Sequence, residues 1–174
     1  LLPSILMIAV VVLVVGIRAE QATGIDGPLR ESWATLQDRS KEQAETKIIV
    51  TPSQPSVSVS PQVRLTLAND GNTIPGEFSD WDLILETQKA SGFSVAYLAH
   101  TTSTCPASGQ WSVRGIYADV DALTTEVVEP GLLGPGEEMV AIFKPSATIE
   151  ENTVDRAIFV AANGVTARAI FKVD

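Results

Sequence analysis

The sequence predicts an α+β protein in which a long N-terminal α-helix, residues 1–46, precedes an antiparallel immunoglobulin-like β-sandwich head, residues 47–174. Two observations predict this arrangement. The chain opens with an unbroken apolar run, which is typical of a buried helix rather than of a surface helix. From residue 47 onward, apolar and polar residues alternate with period two between turn sequences, as in half-buried strands. The change of period sets the boundary between the two parts.

The apolar run is residues 1–17, LLPSILMIAVVVLVVGI. It lacks the basic start and the small-residue cleavage site of a secretory signal peptide, and it has no polar face for a globular surface. At about 1.5 Å per residue it reaches the short limit of a membrane span. We therefore expect an anchor that is buried in lipid or in a bundle of helices. Because the run begins at Leu1 without an initiator Met, we also expect a processed chain.

Residues 18–47 are polar and carry one narrow apolar stripe whose members are three or four positions apart. Gly24, Gly27 and Pro28 predict a bend, and the residues after Pro28 are mostly helix formers. A helix longer than about 60 Å exceeds what one small core requires, so we predict that it packs against copies of itself. The side chains expected to form this polymerisation surface are Ile5, Leu6, Ile8, Val11, Val12, Val15, Ala19, Ala22, Leu29 and Trp33.

The head is predicted to contain seven to nine short strands. Alternation marks residues 63–67, 81–86, 93–97, 111–115, 123–128, 139–144, 157–162 and 165–173. The dipeptide Asn163-Gly164 between the last two predicts a hairpin. Residues 51–60 contain two prolines and are expected to form an extended connector or an edge strand. The side chains expected in the core are Leu65, Leu67, Trp81, Leu83, Phe143 and Phe171.

The charge and the chemical motifs argue against several functions. The net charge of −9 and the lack of clustered Lys and Arg argue against sequence-independent binding of nucleic acid. His100 and Cys105 could form a nucleophilic pair, but neither has an identifiable orienting acid or oxyanion hole. The turn Asn69–Asn72, with Asp80 and Asp82, could hold Ca²⁺, but it lacks the spacing of an EF-hand, which favours a plain turn. We therefore predict a non-enzymatic protein without a cofactor or metal.

The overall pattern resembles type IV pilin-like proteins, and within them the archaellins, which are the filament subunits of the archaellum. The resemblance is carried by LLPSILMIAVVVLVVGI, by LTLANDGNTIPGEFSDWDLILE, and by GPGEEMVAIFK with ANGVTARAIF. It implies a subunit that waits in the membrane, joins a helical homopolymer of itself outside the cell, and serves a rotating motility filament. It also implies a class III signal peptidase and an archaellum-type assembly machinery as partners. Ile5 stands where bacterial type IV pilins carry Glu, and no N-glycosylation sequon is present.

Three other interpretations remain open at this stage. A membrane-anchored stator or accessory protein could share the same plan and bind the cell envelope with its head. An adhesive type IV-like pilin would also have an apolar helix and a β head. A membrane-tethered enzyme would have to use His100 and Cys105.

Overall fold

The computed structural model describes residues 26–51, 62–90, 92–126, 131–150 and 153–172. The apolar run and the predicted polymerisation residues from Ile5 to Ala22 lie outside these ranges, as does most of the predicted connector 51–60. The described part is mainly β-sheet, preceded by one helix.

Helix α1 spans Asp26–Glu45. Pro28 lies in its first turn, where the missing backbone N–H removes no helical hydrogen bond. The chain divides into two compact units after Lys41, so the last turn of α1 belongs to the unit that contains the strands. Within the described ranges, no helix combines the length and the apolar character needed to cross a membrane.

Nine strands are found in the described ranges: β1 Ile48–Thr51, β2 Val63–Asn69, β3 Asp82–Lys89, β4 Gly92–His100, β5 Gln110–Asp119, β6 Thr124–Thr125, β7 Glu138–Lys144, β8 Val154–Val160 and β9 Thr166–Lys172. A 3-10 turn, Phe78–Asp80, precedes β3. One sheet has the order β1-β2-β7-β5, with β6 paired to β5, and the other has the order β4-β3-β8-β9. The neighbours within each sheet are antiparallel.

The two sheets meet at a corner that the sequence did not predict. The end of β4 pairs in parallel with the start of β5, through Ala99 opposite Gln110 and His100 opposite Trp111. The chain leaves one sheet at the end of β4 and enters the other sheet at the start of β5. The two strands run in the same direction where they meet, so they pair in parallel. The loop 101–109 therefore returns along the corner instead of closing a hairpin. At the other ends of the sheets β1 contacts β9, so the sandwich is close to a barrel.

The core fills the space between the two sheets. Trp111 is fully buried and packs edge-to-face on Phe159 with ring centroids 5.7 Å apart. The six side chains expected in the core are each at most 5% exposed: Leu65, Leu67, Trp81, Leu83, Phe143 and Phe171. Phe143 and Phe171 also meet edge-to-face, at 6.2 Å, across the sandwich. Large apolar side chains from both sheets thus supply most of the stabilising burial.

The hairpin predicted at Asn163-Gly164 is present between β8 and β9. Its loop is longer than the two-residue turn that this dipeptide usually forms, because the Ala161 N–H bonds to the Val165 carbonyl. Gly164 adopts φ 88°, which a residue with a Cβ would adopt only at a cost. The Asn163 side-chain oxygen accepts the Val165 N–H at 3.1 Å and so closes the loop locally.

The strand predicted over residues 123–128 is found in part, and residues 127 and 128 lie outside the described ranges. Only Thr124 and Thr125 are extended within the described part, and Leu123 lies in the preceding turn with φ 52°. The side chain of Asp119 accepts the Ala122 N–H at 2.9 Å, and that of Glu138 accepts the Val120 N–H at 2.9 Å. These carboxylates satisfy the backbone N–H groups of the turn that precedes β6.

Candidate interaction surfaces

Helix α1 presents an apolar stripe to solvent. Every side chain from Pro28 to Glu45 is exposed. Leu29 is 50% exposed, Trp33 65% and Leu36 59%, and their spacing of four and three places them on one face. A lone helix of this length is only marginally stable in water. Burial of this stripe against another helix would therefore stabilise α1.

Two hydroxyl groups of α1 are already satisfied within the helix. Ser32 Oγ donates to the Pro28 carbonyl at 2.7 Å, and Thr35 Oγ1 donates to the Glu31 carbonyl at 2.9 Å. Both hydroxyl donors already have a carbonyl acceptor within the helix. The helix surface beside the stripe can therefore lose its water without leaving these donors unsatisfied. This helix chemistry is compatible with burial in a bundle.

A second apolar surface, which we call the outer sheet face, is the solvent side of β4-β3-β8-β9. Its most exposed apolar side chains are Phe93 at 81%, Val95 at 66%, Tyr97 at 62%, Val154 at 55% and Ile170 at 70%. The strand register places Val95 opposite Glu86, Glu86 opposite Arg156, and Arg156 opposite Ile170. These residues form one row across all four strands. An apolar group of this extent on a sheet face is typical of an interaction site.

The outward direction of β4 was missed by sequence reasoning. Phe93, Val95 and Tyr97 alternate with smaller residues, but the smaller set, which includes Ala96, faces the core and ends at the fully buried Leu98. No local signal in the sequence chooses this face, because both sets of alternating residues contain apolar side chains.

Polar groups of the outer sheet face are paired with each other. Arg156 Nη1 lies 2.9 Å from Glu86 Oε2, and the Tyr97 hydroxyl donates to Asp82 Oδ1 at 3.0 Å. That hydrogen bond, helped by burial and by the negative charge of Asp82, raises the pKa of Tyr97 above its ordinary value. A shallow cleft of about 70 Å³ opens on this face. The cleft is lined by Glu86, Phe93, Val154, Asp155, Arg156 and Ile170.

The candidate catalytic residues His100 and Cys105 lie in a ring-packing contact and at an exposed position, respectively. The His100 ring packs edge-to-face on Trp111 at 4.8 Å, and burial lowers the pKa of His100. Cys105 is exposed, and its backbone carbonyl accepts a hydrogen bond from Ser103 Oγ at 3.1 Å. Neither residue is placed in a polar cluster that would activate a nucleophile.

The candidate Ca²⁺ turn is a structural turn. Asn69 is fully buried, and its side-chain amide donates to the carbonyls of Thr73 at 2.7 Å and Leu133 at 2.8 Å. Its side-chain oxygen accepts the Gly71 N–H, and the neighbouring Asp70 pairs with Lys47. Within the described ranges, His, Cys, Asp and Glu side chains form no group of three or more that could hold a metal ion.

Of the predicted polymerisation residues, Leu29 and Trp33 are in the described part, on the exposed stripe of α1. The other members lie outside it: Ile5, Leu6, Ile8, Val11, Val12, Val15, Ala19 and Ala22. Sequence spacing predicts that this stripe lies on one helix face, but it gives no indication of the outer sheet face.

No protein-family model matches the chain, and a search of curated proteins found no match. Solved structures do match. The archaeal flagellum of Methanospirillum hungatei strain JF1 aligns with a TM-score of 0.56 at 12% identity, over 99% of this chain and 93% of that one. The archaellum periplasmic stator complex of FlaF and FlaG from Sulfolobus acidocaldarius aligns at 0.51 and 17% identity, over 72% and 89%. FlaG alone aligns at 0.50 and 17%, over 72% and 99%.

These similar structures are archaellum stator proteins and an archaeal flagellum. The identities are low, so the similarity concerns the fold. This chain has the fold of archaellum components, and at that level its resemblance to the archaellins is confirmed.

Proposed function

We propose that this protein is the structural subunit of an archaellum-type rotating filament outside the cell, and that it polymerises through its N-terminal helix. The observation that carries the proposal is the exposed stripe of Leu29, Trp33 and Leu36 on a helix whose described side chains from Pro28 onward are all exposed. In this proposal the helix is continuous over residues 1–46 and the head, residues 47–174, is an immunoglobulin-like sandwich. The chain is cleaved by a class III signal peptidase and placed by an archaellum-type machinery.

The extent of the structural matches favours the filament over the stator. The flagellum structure aligns with 99% of this chain, whereas both stator structures align with 72%. A filament subunit needs the helix as well as the head, so an alignment over nearly the whole chain supports that role.

The stripe also supplies a driving force for assembly that the apolar run lacks. Residues 1–17 exchange lipid for a helix bundle, which changes their apolar burial little. Leu29 lies 12 residues beyond Ile17, about 18 Å further along a continuous helix and therefore beyond the lipid core. Its stripe is in water before assembly, so burial of each leucine there contributes about 1.5–3 kcal/mol.

The proposal is tested on filaments sheared from cells that produce the full chain. Trp33→Asp places a charge in the stripe and is expected to abolish filaments seen by electron microscopy. The matched control is Asp38→Ala, five residues later and about 140° around the helix from Trp33, which should leave filament length unchanged. Filaments of normal length in Trp33→Asp would show that the stripe is not in the polymer core.

A stator-like accessory protein is the second candidate. It is favoured by the outer sheet face, because a head that binds the cell envelope needs such an exposed surface. A chain recovered only as a minor membrane-bound species, without sheared filaments, would support the stator and contradict the filament subunit.

A further inference from the structure

Leu123 is a large apolar side chain held in an unfavourable backbone conformation. It lies in the turn between β5 and β6 with φ 52°, and it is 66% exposed. Within the described residues, Leu123 and Glu77 are the only non-glycine residues with a positive φ. Glycine or asparagine is the usual residue there, because a Cβ clashes with the backbone. Neither core packing nor turn geometry explains a leucine at this place.

The turn that carries Leu123 is fixed by its neighbours. The carboxylates of Asp119 and Glu138 accept the N–H groups of Ala122 and Val120, both at 2.9 Å. Asp119 precedes the turn and Asp121 lies within it; both are exposed, and residues 119–123 contain no cation. The result is an ordered, acidic protrusion with an apolar tip.

The outer sheet face has the complementary character. Strand alternation places three cationic side chains, Arg156, Arg168 and Lys172, and two anionic ones, Asp82 and Glu86, on this face of a chain whose net charge is −9. Arg156 and Glu86 of this set form an ion pair at 2.9 Å. The cleft between Phe93, Val154 and Ile170 lies on this face, and its charged lining is Glu86, Asp155 and Arg156.

We propose that the Leu123 turn of one copy docks on the outer sheet face of a second copy, with the leucine in the cleft and the two aspartates near Arg156 and Arg168. This inference rests on the proposed filament and specifies the contact between heads. The two surfaces differ, so the contact is head-to-tail and repeats without closing on itself. Charge complementarity favours a second copy, because Arg168 and Lys172 of this face lie two positions on either side of Ile170.

Crosslinking of intact filaments tests the contact. In a Cys105→Ser background, Leu123→Cys with Ile170→Cys is expected to give a ladder of disulfide-linked oligomers after mild copper-catalysed oxidation by air. Leu123→Cys with Ile49→Cys is the matched control, because Ile49 is exposed on the other sheet, and it should remain monomeric. A ladder from Ile170→Cys alone would indicate a symmetric face-to-face contact and would overturn the proposal.

Substitution of the tip tests its contribution to assembly. Leu123→Gly and Leu123→Asn both suit the positive φ, so the midpoint of thermal unfolding should be equal or higher. Both should raise the critical concentration for filament assembly about tenfold or more, because a buried leucine is lost from each contact. Normal assembly of both variants, with no ladder in the crosslinking experiment, would overturn the head contact alone. Failure of the unmodified chain to form filaments would overturn the proposed function together with the contact that rests on it.

Discussion

The side-chain amide of Asn163 donates a hydrogen bond of 2.9 Å to the hydroxyl of Thr46, the residue that follows α1. The same hydroxyl donates to the Glu42 carbonyl at 2.7 Å, and it also lies 2.7 Å from the Thr73 hydroxyl. The β8–β9 hairpin and the 70–76 loop thus both contact the start of the head. Thr46 is 6% exposed, so these bonds are largely shielded from water.

We expect Asn163→Ala to lower the free energy of unfolding by about 1–2 kcal/mol, because the Thr46 hydroxyl loses a donor in a shielded place. Urea denaturation measures the change. Thr46→Val removes the same bond from the other side, and a double-mutant cycle should give a coupling of about 0.5 kcal/mol or more. Strictly additive losses would mean that the two side chains do not interact.

Asn69→Asp should destabilise the head much more, by roughly 3 kcal/mol. The substitution replaces a donating amide by an acceptor-only carboxylate, which would face the carbonyls of Thr73 and Leu133 in a buried site. The control is Asn72→Asp, an exposed position in the same loop, which should change the stability by no more than about 0.5 kcal/mol. Equal effects in chemical denaturation would show that the Asn69 amide network contributes little.

Stability should fall as the pH is lowered through the titration of His100. Burial lowers its pKa in the folded protein, so below about 6.5, the ordinary value, the unfolded chain binds more protons than the folded one. The stability is therefore complete above that pH and is lost progressively as the pH drops through the folded pKa.

His100 is the only histidine, so His100→Gln should remove this component. The comparison is the loss of unfolding free energy between pH 7.5 and pH 5.0 in the two proteins. Carboxylate titration is common to both and cancels. The same loss in both would show that His100 has no part in the pH dependence.

Filament assembly should protect one tryptophan from solvent. Trp33 is 65% exposed, whereas Trp81 and Trp111 are at most 1% exposed. If the stripe enters a helix bundle, the emission of Trp33 shifts to the blue and acrylamide quenching falls when filaments form. The variant Trp33→Phe provides the control, since its remaining tryptophans should show little change. Unchanged quenching of the unmodified chain in filaments would place Trp33 outside the polymer core.

Local sequence signals were sufficient for several elements. The Asn163-Gly164 hairpin follows from residues that tolerate positive φ, and the stripe of Leu29 and Trp33 follows from helical spacing. Both depend on contacts between residues close in the chain, so the sequence determines them without knowledge of the rest of the molecule.

Only the tertiary structure decided which face of β4 is buried and how Leu123 is presented. Period two defines two faces of a strand but does not choose between them when both carry apolar side chains, as around Val95 and Ala96. The choice depends on the core cluster, in which Leu98 and Ala96 of β4 pack with apolar side chains from distant parts of the chain. The turn at Leu123 likewise depends on Glu138, 18 positions from the Val120 N–H that it binds. Sequence alone therefore determined the locally encoded helix and hairpin, and long-range packing determined the surfaces that the protein offers to its partners.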